Sequence, residues 1–279
     1  MNIDSHQHFW HYDAQEYDWI DDNMSAIRQD FLPKDLAKTL QENDMQACIA
    51  VQARQSLIET DWLLQLADEN DFIQGIVGWV DLQADDIQAQ LAKLIDKPKL
   101  LGFRHVIQGE PDPMFMLSDN FIRGLQALTK TDFIYELLVT AEQLPQSIEL
   151  INRVPDLPIV IDHIAKPKIA SGEAFAEWVN AMKTLGLHNH IYCKVSGMVT
   201  EADWKNWTQA DFKPYLDTVF EAFGPERVMF GSDWPVCLVA STYQSMKSIV
   251  ESYVKQYYPA YFEQVFGLNA ASFYRLNKR

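Results

Sequence analysis

Residues 2–10 read NIDSHQHFW: a short apolar start that ends on two histidines, where a doubly wound open sheet would carry a glycine-rich phosphate loop. Strand side chains repeat their direction every second position, so His6 and His8 face the same way. Seven further apolar runs follow: ACIAVQAR, FIQGIVGWV, LLGFRHVI, DFIYELLV, PIVIDHIA, IYCKVSGM and RVMFGSDW. Most are separated by stretches with helical spacing, such as PKDLAKTLQENDM and SLIETDWLLQLADEN. Nearly continuous apolar runs suit parallel strands buried on both faces, and helical crossovers are how such strands are joined. Eight units of this kind predict an α/β fold, a closed (β/α)8 TIM barrel occupying residues 1–279 as a single domain.

A barrel carries its active-site groups at the C-terminal ends of its strands. That rule collects His6, His8, Gln52, Arg104, Glu136, His163, Lys194 and Asp233 at one mouth. Asp233 lies between Gly231 and Pro235, so the eighth strand is expected to end at about Trp234 with the carboxylate at the rim. The first and eighth strands of a closed barrel are neighbours, which brings Asp233 within reach of His6 and His8. Two imidazoles and a carboxylate can grip a divalent ion, and the carboxylate can also take a proton from attacking water. Of the adjacent pairs Asp162–His163 and Arg104–His105, only one member of each points inward on a regular strand; His163 and Arg104 are the inward choices. Gly102, two positions before Arg104, is read as leaving room for guanidinium and ligand together.

Gln52 and Arg54 share a face and match hydroxyl or carboxylate groups. Lys194 and Ser196 share another, opposite Cys193 and Val195, and the lysine either serves the site or snorkels to solvent. Glu136 is either a further metal ligand or the partner of a nearby cation. Trp10, Trp79 and Trp234 lie near strand ends, where indoles stack on a ring-shaped ligand or fill the core. Segment 9–32, aromatic and acidic with no clean period, is expected to lid the mouth, and Pro33 to open the first helix. The stretches after the eighth strand, including NAASFYRLNKR, read as outer helices.

A net charge of −16 argues against nucleic acid and anionic membrane surfaces as partners. Cys48, Cys193 and Cys237 are an odd number in apolar segments, which suits buried thiols in a reducing compartment. With no basic-then-apolar leader and no long apolar stretch, the expected location is cytoplasmic.

Five motifs, HQHFW, GFRHVIQGEPDP, VIDHIAKP, CKVSGMVTEADW and FGSDWPV, resemble in order the amidohydrolase superfamily and, within it, the sugar-lactonase branch. The resemblance implies hydrolysis of a small-molecule lactone, of the class of L-fuconolactone or L-rhamnonolactone, to its hydroxy acid. It places the family's first-strand histidines on His6 and His8, its sixth-strand histidine on His163 and its eighth-strand aspartate on Asp233. Many amidohydrolases hold two metals through a carboxylated lysine on strand five. Here Glu136 stands in YELL without a lysine, so the resemblance allows one zinc or none. Asp233 is then the general base and acid, with His163 beside it in catalysis. Arg54, Arg104, Gln52, Lys194 and the indoles of Trp79 and Trp234 bind substrate. The competing readings are a metal-dependent decarboxylase of an aromatic acid, a pyrone-dicarboxylate-type lactonase and a non-catalytic ligand-binding barrel.

Overall fold

The computed structural model describes residues 1–276. Eight strands run parallel in the order of the chain: β1 (Ile3–Gln7), β2 (Ala47–Val51), β3 (Ile73–Gly78), β4 (Leu100–Val106), β5 (Ile134–Leu138), β6 (Ile159–Ile161), β7 (Ile191–Val195) and β8 (Val228–Phe230). Each β-branched, apolar run predicted from sequence supplies one strand. The barrel closes beyond the end of β8, where Asp233 N–H donates to the His6 carbonyl at 2.8 Å and His8 N–H to that of Trp234 at 2.7 Å. These two bonds hold the first and last strands together and fix Asp233 beside both histidines.

The outer layer is α1 (Pro33–Glu42), α2 (Leu57–Glu69), α3 (Ile87–Leu94), α4 (Asp119–Leu128), α5 (Leu144–Arg153) and α6 (Phe175–Gly186). It continues with the short α7 (Met198–Glu201), then α8 (Gln209–Phe223) and α9 (Tyr243–Tyr257); a last helix, α10 (Asn269–Phe273), follows. Pro33 opens α1, where its missing N–H costs nothing, and the hydroxyl of Ser56 caps α2. Outward strand residues such as Cys48, Phe103 and Val195 pack under the helices in one large core. Inward residues such as Ile49, Val77, Leu101, Val160 and Met229 fill the barrel's interior.

The terminal helix is a correction to the sequence reading. It is not an outer helix: Ala270, Phe273 and Tyr274 pack with the interior residues, so α10 and the residue after it plug the barrel from below. Their apolar side chains complete an interior that the strands alone leave open. Gly102 is a second correction. A Cβ there would sit 2.2 Å from the Ile134 carbonyl oxygen, so the glycine permits close approach of β4 to β5 and makes no room for ligand. The three cysteines are buried and free. Among the described residues no helix is long and apolar enough to cross a membrane.

Candidate active site

The mouth of the barrel holds a cavity of about 520 Å³. His8, Arg104, His163 and Asp233 form its deep end, and Glu16, Asp18, Trp19 and Met24 from the long first loop line its outer part. The first loop therefore covers the mouth as its composition implied, anchored by Trp10, Tyr17, Ile27 and Phe31 in the core.

Three imidazoles surround Asp233. Its Oδ1 lies 3.4 Å from His8 Nε2 and 3.9 Å from Nε2 of both His6 and His163. His6 and His8 face the same way despite an irregular register between Asp4 and Gln7, and their Nε2 atoms are 3.2 Å apart. His8 Nδ1 lies 2.8 Å from the Val51 carbonyl, which places its proton there and leaves Nε2 bare toward Asp233. His163 Nδ1 contacts Ser196 Oγ at 2.8 Å. Gly197 makes that contact possible: its φ is +62°, and a Cβ there would press to 2.6 Å from His163 Nδ1.

Burial holds all three imidazoles neutral, with His163 pushed down to about 4 and His6 and His8 also lowered. Burial works against ionisation of Asp233 as well, but the His163 ring and the Lys166 ammonium outweigh it and hold the carboxyl below its ordinary value. The deep end is thus a carboxylate among neutral rings, able to accept a proton.

Beneath it lies a network of buried charges. Lys194 Nζ is 2.6 Å from Glu136 Oε1, 2.9 Å from His6 Nδ1 and 3.2 Å from Asp162 Oδ1, one acceptor for each of its protons. Tyr274 donates to Glu136 from below. Arg104 Nη1 bonds Asp162 Oδ2 at 3.1 Å and lies 3.2 Å from His6 Nε2, while Nη2 donates to the Gln52 carbonyl. Burial and Asp162 push the Glu136 carboxyl up to about 7 against the pull of Lys194, whereas Lys194 and His6 outweigh burial at Asp162 and hold it well down.

The structure separates the sequence candidates. His8, His163, Asp233, Arg104 and Arg54 line the cavity, and His105 faces outward to Glu110 at 2.6 Å. His6 lies just under them. Gln52, Lys194, Trp79 and Trp234 do not line it. Gln52 Nε2 donates to the Arg104 carbonyl at 3.1 Å, a positioning contact, and Lys194 sits one layer too deep. Trp79 reaches outward to His105 at 3.4 Å, and Trp234 packs edge-on against Phe31 at 5.1 Å. The indoles at the cavity are Trp19 and Trp204, whose loops carry no strand-end signal.

Asp162 is a further correction, because both it and His163 turn inward. Strand β6 stops at Ile161, and His163 to Lys166 all take positive φ, between 45° and 57°. The alternation argument fails where the strand has already ended. The same turn brings Lys166 to the cavity beside Gln108, Glu201 and Gln55, none of them predicted.

Could these residues hold an ion? Ligand atoms of His6, His163 and Asp233 lie within 4.8 Å of one another, with the bare His8 Nε2 close by. Imidazoles with one carboxylate suit a single zinc-class ion, so the set fits. A second group, His6, Glu136 and Asp162, surrounds the Lys194 ammonium, a resident cation in the place of a metal.

Fold and site together define a (β/α)8-barrel hydrolase-type centre with its acid–base group at the end of the eighth strand. The amidohydrolase family model matches residues 3–276, and the chain belongs to that family. It is 40% identical over 264 residues to an L-fucono-1,5-lactonase of Burkholderia multivorans, covering 91% of this chain and 89% of that protein. A second L-fucono-1,5-lactonase, from Burkholderia ambifaria, is 35% identical over 282 residues, covering 100% and 97%. The crystal structure of a Burkholderia multivorans amidohydrolase with bound zinc superposes with a TM-score of 0.95 at 39% identity, covering 99% of each chain.

Proposed function

We propose that this protein hydrolyses an aldonolactone, of the class of L-fucono-1,5-lactone, to its hydroxy acid. The observation that carries the reading is the ionised Asp233 among three neutral imidazoles and Arg104 at the deep end of one cavity. Similarity to the two lactonases supports the substrate class.

Hydrolysis needs a base for water, donors for the oxyanion and a proton for the leaving oxygen. Asp233 takes a proton from water as its oxygen bonds the lactone carbonyl carbon. The carbonyl oxygen becomes an oxyanion held by the Arg104 guanidinium and imidazole N–H groups. The ring C–O bond then breaks, and the proton on Asp233 passes to the departing ring oxygen, giving hydroxyl and carboxyl groups. His6, His163 and Asp233, with His8, would hold at most one ion per chain. A bound zinc supplies Lewis-acid polarisation of the carbonyl or water. Gln52 fixes Arg104 through its two backbone contacts, and Lys194 fixes His6.

The chain's charge of −16 and the engagement of Arg54 and Arg104 with carboxylates disfavour a dianionic substrate. The test is a pH-indicator assay over L- and D-aldonolactones, a pyrone dicarboxylate and a hydroxybenzoate, with elemental analysis in parallel. Turnover of aldonolactones with no more than one equivalent of metal is expected. Turnover confined to the aromatic acid, with release of carbon dioxide, would replace the lactonase reading by a decarboxylase.

A further inference from the structure

The cations near the cavity are not equivalent. Arg54 is bound to Glu16, Arg104 to Asp162, and Lys194 lies beneath the site among three acceptors. Lys166 lines the cavity with its side chain 22% exposed, and its nearest carboxylate, Glu201 Oε1, is 3.9 Å away. That is beyond hydrogen-bond reach, and among the described residues its ammonium has no acceptor. Three donors on a half-buried cation are left facing the space where substrate would sit.

The backbone explains why this lysine is there. Lys166 closes the left-handed turn that follows β6, its N–H bonded to the His163 carbonyl at 2.8 Å. Four successive non-glycine residues in this region are strained. Strain of this kind persists where surrounding structure enforces it, and here it turns His163 and Lys166 into the same cavity. The charge of Lys166 is felt at both His163 and Asp233.

We propose that Lys166 is the residue that recognises the carboxylate: its ammonium receives negative charge developing on the lactone carbonyl oxygen and then binds the carboxylate of the hydroxy-acid product. This rests on the lactonase reading. A lactone is neutral and its product is an anion formed close to the Asp233 carboxylate, so the reaction brings like charges together. A cation with unclaimed donors offsets that repulsion and acts more strongly on the transition state and product than on the substrate.

The test compares wild type with Lys166→Met and Lys166→Arg. Calorimetry measures binding of L-fuconate, and steady-state kinetics follow L-fuconolactone. The Met variant is expected to bind L-fuconate about tenfold or more weakly and to lose a similar factor in kcat/KM, with KM for the neutral lactone changed much less. The Arg variant should restore most of both. A folded Met variant that binds L-fuconate as tightly as wild type overturns the assignment even though wild type hydrolyses the lactone. A wild type that neither hydrolyses aldonolactones nor binds L-fuconate overturns the lactonase reading itself.

Discussion

At Asp233, burial raises the carboxyl while its polar neighbours, the His163 ring and the Lys166 ammonium among them, lower it, and the neighbours win. The amide of Asp233→Asn keeps the shape but cannot take a proton from water. Turnover should fall by about a thousandfold or more with an unchanged circular dichroism spectrum. A well-folded Asn variant with near wild-type rate would remove Asp233 from the chemistry. Glu59 illustrates the opposite balance. Its carboxylate accepts from the Ala53 and Arg54 amides at 3.0 and 2.8 Å, yet burial pushes its pKa up to about 7 from an ordinary 4.5. The folded state therefore holds a proton that the unfolded chain releases between those values, and stability falls as pH rises through that window. Glu59→Gln removes this loss. Relative to wild type, its unfolding free energy should improve by up to about 3 kcal/mol between pH 4.5 and pH 8, measured by urea titration at each pH. A difference independent of pH would mean that Glu59 is ionised in the folded protein throughout.

Among the elements, the turns after strands do more than the strands to place functional groups. The end of β6 at Ile161 is not visible in VIDHIAKP, because that run has no glycine and, although His163 tolerates positive φ, Ile164, Ala165 and Lys166 do not favour it. The turn exists because Ile164 and Ala165 are buried and hold it from outside. Ala174 lies in a related conformation, with φ 55° at the start of α6, but is exposed and makes no such contacts. Ala174→Gly should therefore relieve strain without opening a cavity. A gain of about 1 kcal/mol, or roughly 2–4 °C in Tm, is expected in a thermal melt. Unchanged or lower Tm would show that Ala174 is not held in the left-handed region.

Over the whole molecule, the plug reaches the chemistry through the barrel's interior: Tyr274 donates to Glu136, which pairs with Lys194, which bonds His6. Tyr274→Phe leaves a buried carboxylate with one partner fewer and should cost about 2 kcal/mol by urea denaturation. A loss under about 0.5 kcal/mol would show that the plug is held by its apolar surface alone. The sequence by itself determined the eight strands, the barrel and the convergence of His6, His8, His163, Arg104 and Asp233. Apolar runs and strand alternation are local properties, and the closure of eight of them leaves little choice of neighbours. Tertiary structure alone decided that Asp162 turns inward, that Gln52 and Lys194 support the site from behind and below, that Trp19, Trp204 and Lys166 reach the cavity, and that α10 plugs the barrel. Those placements depend on where strands stop, how deep a residue lies along the barrel axis and how loops from distant parts of the chain pack. None of these leaves a periodic trace, since each is fixed by contacts between residues far apart in sequence.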